Sequence, residues 1–136
     1  PADILPYILS QVAAAGVAAT LVLVFREGAK APVTIDVMKS LVAEALFTFA
    51  LVWVVLNVAT AKNTAGNSYY GFAIGFVVVA GAYAVGPISG GAFNPAVVVG
   101  LGLMGIIRWA DAWVHLAGDI AGAVLAAVAF KALARD

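Results

Sequence analysis

The stretch Gly90-Gly91-Ala92-Phe93-Asn94-Pro95-Ala96 decides the fold of this chain. Asn94 is a favoured helix N-cap residue and Pro95 suits the first helical position, so the stretch predicts a helix that begins at Pro95. The apolar run that follows ends near Met104 and is too short to cross a bilayer. We therefore expect a re-entrant half-helix over 94–105, with free N–H groups and positive partial charge at membrane depth.

The composition indicates that lipid is the solvent of this chain. Its 136 residues are 65% hydrophobic and 10% charged, with a mean hydropathy of +1.09, whereas soluble domains carry about a quarter charged residues. A formal net charge of zero gives no support to nucleic-acid binding, and the absence of cysteine excludes disulfides. The sequence has one histidine, His115, and no clustered carboxylates, so it predicts no metal site. It also shows neither a catalytic triad nor a phosphate-binding loop, so an enzyme is not predicted.

Further apolar segments are long enough, or nearly so, to cross a membrane, for which about 20 helical residues are needed. They cover residues 6–25, 41–60, 70–86 and 110–133. With the half-helix they predict an all-α membrane protein, a single domain over 1–136 with four transmembrane helices. The connection over 86–91 is glycine-rich and uncharged, so we expect it to be non-helical and folded back into the protein.

Small residues and charges along the segments bear on packing and orientation. GxxxG patterns at 71–75 and 118–122 predict tight helix crossings, because glycine permits close backbone approach. The basic residues divide four against three between the two membrane sides, too slight a bias to fix the orientation. The first group is Arg26, Lys30, Lys39 and Arg108, and the second is Lys62, Lys131 and Arg135.

Two polar residues in the apolar chain are candidates for a functional role. Asn94 can cap its own helix and also point amide donors into a pore. Glu44 lies one turn inside the second segment, where a carboxylate is costly, so it should face the bundle and find partners. We expect it to accept hydrogen bonds from backbone donors of residues 86–91. A proton relay through Glu44 is the alternative.

The other polar residues within the segments predict structural contacts. Asp119 could pair with His115 or with Arg108, and we favour an interfacial or interhelical hydrogen bond for it. Gln11 and Asn57 are expected to make polar contacts between helices and to have no chemical role.

The motif Ser89-Gly90-Gly91-Ala92-Phe93-Asn94-Pro95-Ala96 resembles the signature loop and half-helix of the aquaporin, or major intrinsic protein, family. Residues 6–11, 44–49, 71–76 and 113–130 resemble parts of its third, fourth, fifth and sixth spans. The family fold has six tilted spans in two inverted halves, each with one half-helix. The resemblance therefore implies an incomplete six-span fold and a fragment of a full-length channel. Assembly from two such chains in opposite orientation is the alternative.

The resemblance assigns roles to particular residues. Asn94, with Pro95 and Ala96, matches the pore tip, and Glu44 matches the carboxylate that braces the re-entrant loop. The carbonyls of Gly90, Gly91 and Ala92 match the acceptors along which water passes.

The resemblance also points to the residues of the narrow filter. Val97 stands where members usually have arginine, and Ala82 stands where water-selective members often have histidine. Gly91 is the loop position of the filter. Small or apolar residues at these positions imply a wider and less polar constriction.

The resemblance implies passive transport of water and of small neutral solutes such as glycerol, urea or ammonia. It further implies an integral plasma-membrane protein, a homotetramer with one pore per subunit, and no cofactor. Two other functions stay open: an ion-coupled transporter using Glu44 and Asp119, since broken helices also occur in transporters, and a non-conducting structural bundle.

Overall fold

The computed structural model describes residues 2–27 and 31–133, and in this part of the chain every regular element is helical. The described residues include four helices long and apolar enough to cross a membrane. These are α1 (Ile4–Phe25), α2 (Val37–Val55), α3 (Tyr70–Ser89) and α5 (Ala112–Leu133), while α4 (Pro95–Leu103) has nine residues. At about 1.5 Å per residue, α4 covers less than half of a hydrocarbon core about 30 Å thick. The predicted all-α membrane bundle is confirmed.

Short irregular turns extend two of the long helices. A π-helical turn, Leu56–Thr60, continues α2, and a 3₁₀ turn, Trp109–Asp111, precedes α5. A second 3₁₀ turn, Lys62–Thr64, lies in the connection to α3. The outer surfaces of the helices remain apolar and exposed, as at Tyr83, which is 86% exposed. Lipid is the solvent that such a surface requires.

The end of α3 differs from the prediction. The sequence predicted a non-helical connection from residue 86, but α3 continues through Pro87 to Ser89 and ends at Gly90, whose φ is +95°. Its last carbonyls are satisfied by side chains distant in sequence. Ser40 Oγ donates to the Ile88 carbonyl at 3.0 Å, and His115 Nε2 lies 2.6 Å from the Ser89 carbonyl oxygen.

One GxxxG pattern forms the closest crossing, between α2 and α5. A Cβ atom placed at Gly118 would lie 2.8 Å from the Glu44 Cβ, and one at Gly122 would collide with the Ala45 carbonyl. The tight crossing predicted for 118–122 is therefore confirmed.

The other GxxxG pattern makes no such crossing. A Cβ atom at Gly71 or at Gly75 would meet nothing within 4 Å in the described structure. The tight crossing predicted for 71–75 is wrong for the part of the chain described, because this face of α3 is turned away from the other helices.

The connections fix which ends of the helices lie together. Val33 N donates to the Ile106 carbonyl at 2.8 Å, which joins the loop after α1 to the segment after α4. Arg26, Lys39 and Arg108 accordingly lie at one end of the bundle, with Lys62 and Lys131 at the other. The predicted positions of Lys30 and Arg135 lie outside the described residues. The half-helix α4 packs chiefly against α1 and also against α5.

Candidate functional site

The turn from α3 into α4 is made by strained backbone that buried packing holds in place. Gly91 has a φ of +69° and Phe93 a φ of +53°, a region that a bulky residue rarely adopts. The Phe93 side chain is 3% exposed and packs on the Phe47 ring at a centroid distance of 5.3 Å. Gly81 leaves room for it, since a Cβ there would lie 2.5 Å from the Phe93 ring.

Glu44 ties this turn to α2. The residue is fully buried, and its carboxylate accepts hydrogen bonds from Ser89 Oγ at 2.5 Å, Ala92 N at 3.1 Å and Phe93 N at 2.7 Å. The expectation that backbone donors of residues 86–91 would serve Glu44 is wrong. Because α3 extends to Ser89, the free N–H groups begin later, and the backbone donors are Ala92 and Phe93. Hydrogen bonds to an ionised acceptor are the strong ones in proteins.

His115 supports the same turn from α5. The ring is fully buried, with Nε2 at 2.6 Å from the Ser89 carbonyl oxygen and Nδ1 at 3.2 Å from the Asp111 carbonyl oxygen. Arg108 donates to the Asp111 carboxylate at 2.7 Å. This hydrogen bond and the charge of Asp111 raise the pKa of Arg108 above its usual value. Neither His115 nor Arg108 therefore pairs with Asp119.

Asp119 is held from α2 instead. Thr48 Oγ1 donates to Asp119 Oδ1 at 2.8 Å, which confirms the interhelical hydrogen bond favoured for this residue. Asp119 is 2% exposed, and its Oδ2 has no hydrogen-bond partner among the described residues.

The two remaining polar residues differ in their surroundings. Asn57 Nδ2 donates to the Trp53 carbonyl of its own helix at 2.7 Å, so the interhelical contact predicted for Asn57 is wrong. Donation to the carbonyl four residues earlier is a local helical contact, which competes with a contact to another helix. Gln11 is half-buried and lines two cavities together with Asn94.

Asn94 lies where three cavities meet. A groove between α1 and α4 has a volume of about 400 Å³, a second beside Pro95 and Tyr7 about 450 Å³, and a third between α2 and α5 about 290 Å³. Asn94 Oδ1 accepts from Ala96 N at 2.8 Å and so caps α4. None of the described residues accepts a hydrogen bond from Nδ2, which leaves the amide donors available beside these cavities.

The turn uses its donors and leaves its acceptors free. Gly91 N donates to Ser89 Oγ at 3.1 Å, and the N–H groups of Ala92 and Phe93 donate to Glu44. Within the described ranges, no group donates to the carbonyls of Gly90, Gly91 or Ala92. Such carbonyls have the capacity to accept hydrogen bonds from a solute.

The three expected filter residues fall into two places. Gly91 lies against Ala82, since a Cβ at Gly91 would be 3.5 Å from the Ala82 Cα. Val97 is 42% exposed and lines the groove between α1 and α4 together with Asn94, Ala96 and Met104. This groove is lined mainly by small and apolar side chains.

Besides Glu44, which was predicted, Ser40, Ser89 and His115 hold the turn and were not assigned to it from the sequence. Ser40, Glu44 and Thr48 recur at intervals of four and lie on one face of α2, where all three are buried. Three polar residues on one face of an apolar helix indicate that this face is turned toward polar partners inside the protein. Ser89 and His115 were not singled out for the turn, because their partners are distant in sequence.

Comparison with known proteins identifies the family. The family described as "Major intrinsic protein" matches residues 2–130. The relatives include Aquaporin NIP1-4 of Oryza sativa subsp. japonica, 34% identical over 130 residues, which are 92% of this chain and 47% of the relative. Aquaporin NIP1-3 of the same organism is 40% identical over 101 residues, 74% of this chain and 34% of the relative.

A bacterial relative has a different printed name. Glycerol uptake facilitator protein-like 6 of Lactiplantibacillus plantarum is 40% identical over 95 residues, 69% of this chain and 43% of the relative. The chain thus spans less than half the length of these relatives. With its apolar helices and its braced half-helix, this integral, multi-pass membrane chain belongs to the major intrinsic protein family.

Proposed function

We propose that the protein containing this chain is a passive channel for water and small neutral solutes rather than an enzyme. The observation that carries the proposal is the division of hydrogen-bonding groups at the turn. The N–H groups of Ala92 and Phe93 are used by Glu44, while the carbonyls of Gly90, Gly91 and Ala92 accept nothing from the described residues. A permeating molecule can donate to these carbonyls and accept from Asn94 Nδ2. These hydrogen bonds replace, one after another, the hydrogen bonds that the molecule makes with water.

The electrostatics of the half-helix favour neutral solutes. The N-terminus of α4 carries positive partial charge, and Asn94 and Pro95 lie at that end. A cation that approaches this end is repelled, whereas the oxygen of a neutral molecule is attracted. This supports uncharged solutes as the transported class.

The residues beside Asn94 support solutes larger than water. Val97 and a row of alanines line the groove between α1 and α4, so the wall presents no charge to a solute and leaves space that a longer side chain would fill. We propose glycerol, urea and ammonia as additional solutes. The names of the relatives, aquaporin and glycerol uptake facilitator, support this range. We also propose residence in the plasma membrane and assembly as a homotetramer.

An ion-coupled transporter is less well supported. A proton site needs a carboxylate that can exchange its proton during transport. Glu44 is fully buried and occupied by three donors, and Asp119 is 2% exposed and held by Thr48. A non-conducting bundle gives no reason for the free acceptors beside Asn94.

Stopped-flow measurements on proteoliposomes containing the natural protein test the proposal. We expect rapid shrinkage under an osmotic gradient with no need for a pH gradient. Asn94→Asp places negative charge at the half-helix tip and should lower water flux while raising cation leak. Asn63→Asp makes the same change in an exposed loop and should leave both unchanged. Flux equal to that of empty vesicles, or flux that requires a pH gradient, contradicts the proposal.

A further inference from the structure

Glu44 and Asp119 are two buried carboxyl groups on facing helices. Asp119 is 2% exposed and Glu44 is fully buried. Gly118, the residue before Asp119, lies directly against the Glu44 Cβ, and Thr48, one turn after Glu44, donates to Asp119 Oδ1 at 2.8 Å. Asp119 and Glu44 thus lie next to each other where α2 and α5 cross most closely. The two carboxyl groups therefore lie in one buried region between α2 and α5, beside the third cavity, which Asp119 and Thr48 line.

The donors available to this pair are unequally divided. Glu44 accepts three hydrogen bonds, from Ser89, Ala92 and Phe93. Asp119 accepts one, and its buried Oδ2 has no partner among the described residues. His115, one turn before Asp119, has a backbone carbonyl oxygen beside each of its ring nitrogens.

Among the described residues, no lysine or arginine is paired with either carboxyl group. Arg108, the basic residue nearest to the start of α5, donates to Asp111. Two adjacent carboxylates in an apolar site cannot both be ionised at acceptable cost, so they share one proton. The surroundings of Glu44 suit an anion, since three donors converge on it. The surroundings of Asp119 suit an acid, since one of its oxygens has no donor at all.

We propose that Asp119 is a protonated positioning residue, whose Oδ2–H donates to the carboxylate of Glu44. An ionised carboxylate has about four acceptor positions, and three are filled here. The proton of Asp119 fills the fourth and fixes the rotation of the Glu44 carboxylate toward Ala92 N and Phe93 N. Through Glu44, a residue of α5 thereby orients the turn that carries Asn94. This contact of Asp119 with Glu44 does not depend on whether the protein conducts.

Infrared spectroscopy of the purified natural protein in bilayers at neutral pH detects the proton. The carbonyl-stretch band of a protonated carboxyl group should be present in the wild type and absent in Asp119→Asn. Thr48→Val removes the donor to the other oxygen of Asp119 and should retain the band. A folded wild type without this band, or a band that survives in Asp119→Asn, overturns the proposal.

Amide hydrogen exchange at Ala92 and Phe93 tests the positioning role. Asparagine can donate through Nδ2 as the protonated acid does, so Asp119→Asn should keep wild-type protection. Asp119→Ala removes the donor, and exchange at both amides should rise roughly tenfold, which corresponds to one lost hydrogen bond. Equal exchange rates in the two variants contradict the proposal. If Asp119→Ala does not fold, the comparison of Asp119→Asn with the wild type still decides. A protonated Asp119 predicts equal protection in the two, whereas an ionised Asp119 predicts slower exchange in Asp119→Asn, because asparagine would replace a repelled carboxylate with a donor.

Discussion

Val97 shows how one residue can set what passes the half-helix tip. It is 42% exposed and lines the groove between α1 and α4 beside Asn94. Its side chain is short and carries no hydrogen-bonding group, so it neither narrows the groove nor selects for polarity. The contacts that hold the turn join Phe93 to Glu44 and Phe47 of α2.

Val97→Arg should reduce glycerol and urea flux more than water flux in proteoliposomes of the natural protein. The guanidinium would occupy the groove and supply five donors, so the remaining passage would favour the smallest solute. Val97→Leu adds size without charge and should reduce glycerol flux less than the arginine does. Unchanged glycerol and urea fluxes in Val97→Arg would show that Val97 does not line the solute path.

At the scale of elements, the two GxxxG patterns of the chain pack differently, although their local sequences are alike. The crossing of α2 and α5 depends on Gly118 and Gly122, whereas Gly71 and Gly75 on α3 meet nothing within 4 Å. The half-helix start was predictable because Asn94 and Pro95 act within a single turn. The end of α3 was not, because Ser40 and His115 satisfy its last carbonyls from 48 and 26 residues away. The capping of α4 could be predicted from neighbouring residues, whereas the partners of the last carbonyls of α3 lie on other helices and could not.

Gly122→Ala should lower the thermal midpoint of the protein in detergent or bilayers by many degrees. The added methyl group would collide with the Ala45 carbonyl and approach the Phe49 nitrogen, which are backbone atoms that cannot move independently. Gly75→Ala makes the same change where the surroundings are open and should not lower the midpoint. A similar loss of stability in both variants would refute the assignment of the crossing to α2 and α5.

The start of α2 should loosen in acid. The backbone N–H of Lys39 donates to Asp36 Oδ1 at 3.0 Å and, with the charge of Lys39, lowers the pKa of Asp36 below its usual 3.8. Because the pKa is lower in the folded state, the stabilisation is present above pH 3.8 and is lost as the pH falls through the folded pKa.

The amide shift of Lys39 in NMR spectra reports this transition. It should titrate with an apparent pKa below 3.8 in the wild type. Asp36→Asn keeps a capping side chain that does not titrate, and its Lys39 shift should be constant over the same range. A transition at or above the usual value in the wild type would contradict the capping role.

At the scale of the whole molecule, the connections place two groups of loops on opposite membrane sides. The bond from Val33 N to the Ile106 carbonyl joins the loop after α1 to the segment after α4. The connection between α2 and α3, with Asn63 at an exposed position, lies at the other end. The near balance of basic residues left the absolute orientation open, but the relative placement follows from the helices alone.

Single-cysteine variants measure this placement without background, because the chain has no cysteine. In sealed vesicles, a membrane-impermeant maleimide should label Thr34→Cys and Ala110→Cys from the same side. It should label Asn63→Cys only from the opposite side, since all three positions are exposed in the structure. Labelling of Ala110→Cys and Asn63→Cys from the same side would contradict a re-entrant α4, because a crossing α4 would return the chain to the side of Asn63. Two equal populations for any one variant would contradict a fixed topology.

Glu44 holds the turn before Asn94 from α2, whereas the wall beside Asn94 is formed by α1 and α4. Asn94 takes its position from α2 and α5, through Glu44, Ser89 and His115. The groove at Val97 takes its shape from α1 and α4. Substitutions in the groove between α1 and α4 can therefore change solute preference while the contacts of Glu44 that hold the turn are kept. A library varied only in this groove should yield many folded proteins with altered solute preference.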